Sequence, residues 1–420
     1  MRRFYRFAVA IFVPVMMLLA ARRALCASAI SLNQAIVRAL QLAPSLELAA
    51  AQSNLSGAQV GEARAPLFPV IAGAAEYNDS PGYDPTISNN GLSLAQLSLG
   101  YIAFDGGRRL ALLRAARYAR QAATLGVRAA KAQIVHDVTV AYFDLMRARE
   151  TEDEQRVSLA RLRRYVSIIE SLRNTGRAND SDVLKIKSAR DSAELALAAA
   201  RETREHASIV LGSMIGEYES PDLVVLEVSQ LPSLPKGNID ASPAIRAAER
   251  QIQSEQARIR AAQDERYPTF TLALTAGYEG VYPRQTLRRF YGASYDGAMS
   301  IPIFAGGLIS SHVDIARANQ QAADARLRAI HLQVMRDFAD ARVHYLSARR
   351  QLAIIKNSQA DVNDAFALDW MRFLGGGNVT LLEVLTSYQQ TISLRLARLA
   401  QEFAMRQAVA QAQLMLGLAP

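Results

Sequence analysis

The side chains in this chain that could carry chemistry are few and scattered. Five histidines, His136, His206, His312, His331 and His344, fall at spacings that match no H-E-x-x-H or related ligand pattern. Cys26 is the only cysteine, so the chain offers no dithiol, no thiolate cluster and no disulfide of its own. No Ser/His/Asp set can be assembled, and nothing in the residue types points to an enzyme, a metal or a cofactor. Two glycine pairs, Gly106-Gly107 and Gly306-Gly307, could be read as phosphate cradles. Neither continues into Gly-Lys-Ser or a third spaced glycine. Their expected role is a strand-to-helix turn, where glycine admits positive φ and a close backbone approach. Two acids stand in a distinctive setting. Asp182 and Glu383 each follow a turn, Asn174-Thr175-Gly176 and Gly375-Gly376-Gly377, whose glycines are expected to end a helix in the left-handed conformation. Thr380-Leu381-Leu382-Glu383 has the form of a capping box, in which Glu383 reaches back to a backbone N–H.

These residues occur in pairs because the chain repeats itself. Phe104-Asp105-Gly106-Gly107 returns 200 residues later as Phe304-Ala305-Gly306-Gly307. Pro44 and Pro69 answer to Pro243 and Pro268, a shift of 199. Ala148-Arg149 answers to Ala348-Arg349, and Asp182-Val183-Leu184 to Glu383-Val384-Leu385. Repetition of this kind marks two copies of one module of about 190 residues. The expected division is a first repeat over 30–214, a proline-containing connector over 215–241 and a second repeat over 242–420.

Residues 1–29 have the form of an export signal. Arg2, Arg3 and Arg6 precede an apolar run from Phe7 to Ala20, which is too short to span a bilayer as a stable helix. Ala27-Ser28-Ala29 supplies a cleavage site, with Leu25-Cys26-Ala27 as a competing frame. The leader's five arginines account for more than half of the formal charge of +9. The remainder is only mildly basic and carries no block of the kind that grips nucleic acid. The densest cluster, Arg161-Leu162-Arg163-Arg164, reads as a solvated helix face.

Proline placement sets the elements. None lies between Pro85 and Pro221, or between Pro302 and Pro420, and both stretches are rich in good helix formers. Each repeat reads as a helix (31–65, then 242–266), a strand (68–77, then 269–278), and a second strand (92–103, then 291–303). A very long helix follows (108–172, then 308–373), and after the glycine turn a shorter one (182–211, then 381–416). Phe270, Leu272, Leu274, Ala276 and Tyr278 alternate with small or polar residues, as do Tyr291, Ala293, Tyr295, Met299 and Ile301. Strands of about ten residues with one apolar face and tyrosines near their ends suit a lipid-facing barrel. A strand half-buried in a soluble sheet has the same alternation. A helix of about 65 residues reaches about 100 Å, the summed length of the two shorter helices of its repeat. Helices this long need packed neighbours.

Two repeats supply four strands, and four cannot close a membrane barrel. An edge left open in lipid strands backbone groups at several kcal/mol each. Self-association is therefore expected: three copies would give twelve strands, two would give a narrower eight. At this point the chain resembles the TolC-like outer-membrane efflux and secretion channels. The resemblance rests on the duplicated unit, the Phe-x-Gly-Gly openings of both long helices, and the Gly-x5-Asp-Val-Leu and Gly-x5-Glu-Val-Leu turns from Gly176 and Gly377. It implies a mainly helical protein, with a trimeric α-helical barrel in the periplasm topped by a 12-stranded transmembrane β-barrel in the outer membrane. It implies a homotrimer, a periplasmic adaptor and an inner-membrane transporter as partners, outer-membrane lipid around the barrel, and no nucleic acid. The glycine turns become adaptor-docking tips. By position Glu383 matches a gate acid, with Asp182 as its counterpart in the first repeat, while Thr386 stands where the family has a second acid. Arg284, Arg288 and Arg289 become surface-loop residues. Two rivals remain. A periplasmic adaptor would need a β-rich lipoyl-like region, and a coiled-coil envelope protein would lack the alternating strands.

Overall fold

The computed structural model describes residues 29–79, 81–82, 91–217, 223–228, 230–282 and 290–418. Most of the leader, with Cys26, and the loop arginines Arg284, Arg288 and Arg289 lie outside them.

In the first repeat the order is α1 (Leu32–Leu42), α2 (Pro44–Arg64), β1 (Val70–Asp79), β2 (Gly91–Phe104), α3 (Arg108–Asn174) and α4 (Asp180–Ile215). In the second it is α5 (Pro243–Asp264), β3 (Thr269–Tyr282), β4 (Phe290–Ser300), α6 (Leu308–Leu374) and α7 (Leu381–Leu416). Helices α3 and α6 have 67 residues each, and α4 and α7 have 36 each. The duplication is thus carried down to element length.

The first helix departs from the expected single span over 31–65. It is two helices, because Pro44 disfavours the α region for the residue before it, and Ala43 sits at φ −71°, ψ 114°. Helix α4 begins at Asp180, two residues before the expected start, because Asn179 is its N-cap. Strand β4 ends at Ser300 instead of Ile303, leaving Ile301–Phe304 without a strand partner.

By compactness the described chain forms two units, and each draws on both repeats. One comprises Ser45–Ala130 and Asn238–Met335. It holds a four-stranded antiparallel sheet in the order β1-β2-β3-β4, so the copies meet where β2 pairs with β3. Its small helical core gathers Ala262, Val313 and Ala316. None of the 21 residues of α2 is buried.

The other comprises the described residues up to Pro44, with Lys131–Gly237 and Arg336–Pro420. Here the N-terminal segment and the connector bind the helices together. Ile30 bridges to Val225, and its carbonyl accepts from Leu226 N–H and from the buried Tyr142 hydroxyl at 3.0 Å. The Tyr142 hydroxyl also reaches the Leu226 carbonyl at 2.8 Å. The connector is further held by Ser208, which accepts from Leu223 N–H, and by Tyr345, which donates to the Pro232 carbonyl.

Candidate functional site

Two places bear on function, the glycine turns and the sheet. At the first turn Gly176 has φ +75° and Arg177 N–H returns to the Leu172 carbonyl at 2.9 Å. At the second, Gly376 has φ +76° and Gly377 N–H returns to the Arg372 carbonyl at 2.9 Å. Both helices therefore close in the same left-handed cap. Of the three glycines at the second turn, Gly376 takes the left-handed conformation, and Gly375 and Gly377 do not. The turns touch, since Arg177 donates to the Leu374 carbonyl. Asn174 ends α3, and the hydroxyl of Thr175, the next residue, donates to the Leu172 carbonyl.

Beyond the turns, Asp182 and Glu383 occupy equivalent places. Asp182 N–H donates to Asn179 Oδ1 at 2.8 Å while Asp182 Oδ2 accepts from Asn179 N–H at 3.3 Å. Glu383 Oε2 accepts from Thr380 N–H at 2.7 Å, and Glu383 N–H donates to Thr380 Oγ1 at 3.3 Å. Both acids are thus N3 members of capping boxes. Thr386 turns its hydroxyl onto the Leu382 carbonyl.

The helices behind the turns pack through a shared core. Leu159, Leu162 and Ile169 of α3 meet Val183 and Ile186 of α4 and Leu381 and Tyr388 of α7. Leu162 is buried while Arg163 and Arg164 are exposed, so the basic cluster is a solvated face with one buried tooth. Tyr165 of α3 lies 4.3 Å from Trp370 and 6.0 Å from Tyr388, ring to ring, and Phe366 lies 5.3 Å from Tyr388. Tyr388 donates to Ser158 Oγ at 3.0 Å, and burial pushes its phenol above the ordinary value, so it stays a neutral donor. Ser387 donates to Asp369 Oδ2 at 2.5 Å. No local spacing in the sequence connects Trp370 with Tyr165 or Tyr388.

A second feature escaped sequence reasoning. Glu152, buried on α3, is met by Arg156 at 2.7 Å, Arg204 at 2.7 Å and Arg201 at 3.5 Å. Burial raises its carboxyl; hydrogen bonds from Arg156 and Arg204 and their charges outweigh that and hold it below the usual carboxylate range. The only signal available was one acid at i−4 to an arginine.

The glycine pairs do lie between strand and helix. Gly106 and Gly107 have φ +69° and +98°, Gly306 and Gly307 +58° and +85°. At Gly106 a Cβ would stand 2.5 Å from Tyr267 Cβ, so both the conformation and the space demand glycine. Three of the histidines sit beside an acid: His136 by Asp137, His312 by Glu265 and His331 by Asp240. Among the described residues no group of three or more His, Cys, Asp or Glu is placed to hold a metal.

The sheet sorts its side chains by register. Tyr278 stands opposite Tyr291 with rings 5.6 Å apart, Leu274 opposite Tyr295, and Phe270 opposite Met299. Across β2 the same side carries Leu97, Leu99 and Tyr101, and on β1 Ile71 and Tyr77. The other side carries Ala72, Gln96, Ser98, Thr275, Ser294 and Asp296. Directly paired residues share a face, so one face is mainly apolar and the other mainly small and polar, with Val70, Leu94 and Ile102 also on that second face. The apolar side chains are exposed, Tyr291 by 85% and Tyr295 by 82%. An exposed apolar surface this continuous marks contact with lipid or protein. No helix among the described residues is long and apolar enough to cross a membrane.

The outer membrane efflux protein family matches residues 35–217 and 234–418. The Escherichia coli outer membrane protein TolC is 24% identical over 355 residues, covering 77% of this chain and 70% of that protein. Protein CyaE of Bordetella pertussis is 27% identical over 336 residues, covering 74% and 69%. Among solved structures the outer membrane protein VceC of Vibrio cholerae has the same fold, with a TM-score of 0.81 at 21% identity over 92% of this chain and 96% of that one. With its duplicated module, two-faced sheet and paired long helices, the chain belongs to the outer membrane efflux protein family.

Proposed function

We propose that three copies of this chain close into one conduit, with a 12-stranded barrel in the outer membrane and a helical tunnel in the periplasm. As a member of its family the chain works in the outer membrane as a passive exit duct for efflux or secretion, and it is not an enzyme. The observation that carries the trimer is the open sheet. Among the described residues edge strands β1 and β4 have one partner each, both sheet faces are exposed, and the apolar face cannot be left in water. The wholly unburied helix α2 asks for neighbours in the same way.

In this reading an export leader over 1–29 delivers the chain to the periplasm. The turns at Asn174, Thr175 and Gly176 and at Gly375, Gly376 and Gly377 form the end that meets a periplasmic adaptor, with an inner-membrane transporter behind it. Asp182 and Glu383 ring that end as gate acids while still capping their helices, since each carboxylate has lone pairs beyond those the cap uses. With Thr386 in place of a second acid, the ring is a single tier in the second repeat. The small polar sheet face lines the lumen. Planar-bilayer recording tests the duct: purified protein is expected to give discrete conductance that rises when the gate end is loosened. Silent bilayers with both the native protein and variants altered at the tip glycines and Glu383 would contradict it.

A further inference from the structure

We infer that each copy carries, on the side that faces the conduit, a binding station for amphiphilic organic cations, walled by Asp337 and Asp340 and floored by alanine and valine. This rests on the duct reading and adds to it a substrate class and a place. The station is a groove of about 550 Å³ between α3, α6 and α7, within the usual size of small-molecule sites, about 300–1,000 Å³. Ala341 and Ala408 are buried at its floor, beside the half-buried Val140 and Ala404. Asp340 and His344 are exposed at its rim, with Asp337 and His136 half-buried.

Helix periodicity gives the groove a side. Successive helical residues turn by about 100°, so residues two apart lie on nearly opposite faces. Val140 is two residues from Tyr142, whose hydroxyl reaches the connector at the Leu226 carbonyl. Ala404 and Ala408 are each two residues from Arg406, which donates to the connector at the Val228 carbonyl. On both helices the groove therefore lies on the face opposite the connector. A tunnel keeps its bore clear only if the connectors of its copies lie outside, and that turns the groove inward.

Charge selects the ligand. The chain has 48 lysines and arginines against 39 acids, and other cavities reflect that excess. The cavity between α2, α3 and α5 is lined by Arg108, Arg109 and Arg258, and the one at Glu152 by Arg149, Arg156 and Arg204. The groove reverses the balance, with two acids and neither lysine nor arginine among its lining residues. Asp337 is shared with the exposed Arg336 at 3.1 Å, while Asp340 has no ion pair among the described residues. A concavity lined by one sign of charge concentrates ions of the other. No three ligating side chains converge there to hold a metal, and the alanine and valine floor offers apolar contact. Both features favour a cation with an apolar body over a bare ion.

Two ions of matched shape and opposite charge test the station. Single-channel conductance of the purified protein is recorded with tetraphenylphosphonium and with tetraphenylborate. Tetraphenylphosphonium is expected to block and tetraphenylborate to leave the current unchanged. Asp340→Asn combined with Asp337→Asn is expected to weaken the block by about tenfold, and Asp340→Lys to weaken it further. Both sites are at the surface, and melting in detergent confirms that the variants fold. Glu383→Gln, at the turns, is expected to keep the block. A block that both ions give, that survives removal of the two aspartates, or that Glu383→Gln abolishes overturns the station and leaves the duct standing. Bilayers that stay silent with every protein overturn both.

Discussion

Glu152 and the Gly106 turn show what single residues contribute. Glu152 → Gln removes the charge that three arginines converge on and is expected to cost about 1–2 kcal/mol, moderated by the exposure of Arg156 and Arg201. The pH dependence has a definite sign. A carboxylate whose folded pKa is depressed stabilises the fold above its unfolded value and loses that contribution as pH falls through the folded one. The native protein should therefore lose more melting temperature than Glu152→Gln on acidification below about pH 4. Equal losses would remove Glu152 from the account. At the turns, Gly106→Ala meets both a positive φ and the Tyr267 ring, whereas Gly306→Ala meets the φ alone, with nothing within 4 Å. We expect about 1–2 kcal/mol of backbone strain for each, and a further steric cost for Gly106→Ala only. Melting in detergent should rank Gly106→Ala below Gly306→Ala. The sequence offered the glycine pairs as equals; Tyr267, distant along the chain, makes them unequal.

At the level of elements, the tip is a four-helix junction held by an aromatic cluster and two caps. Tyr388→Phe keeps the ring and removes the hydroxyl bonded to Ser158, which should cost about 1 kcal/mol. Trp370→Ala removes the ring against Tyr165 and should cost about 2–4 kcal/mol of local packing. If the tip is the gate, Trp370→Ala raises open probability in bilayer recordings more than Tyr388→Phe does; unchanged gating in both would place the gate elsewhere. Most element boundaries were legible because glycine and proline punctuate this chain: both 67-residue helices begin after a Gly-Gly pair and end before a glycine cap. The break at Ala43 was missed because the apolar pattern runs through it, although Pro44 alone dictates it. The early end of β4 was missed for another reason: the alternation Met299–Ile301 is real, but a strand also needs a partner, and sequence alternation does not say which molecule supplies it.

For the whole molecule, the repeat was the most legible feature, since a fixed offset survives even where side chains differ, as in Asp105 against Ala305 or Asp182 against Glu383. What the offset could not show was that the compact units cut across the repeats. That arrangement follows from long helices, each of which contributes one part to either unit. The four-stranded sheet is then an incomplete object: two free edges, an apolar face and a polar face, in a chain whose family belongs to the outer membrane. The native mass of the purified, leader-processed protein in detergent tests this most directly. A species of three chains that precipitates when detergent is withdrawn is the predicted result. A folded monomer that stays in solution without detergent would contradict the account.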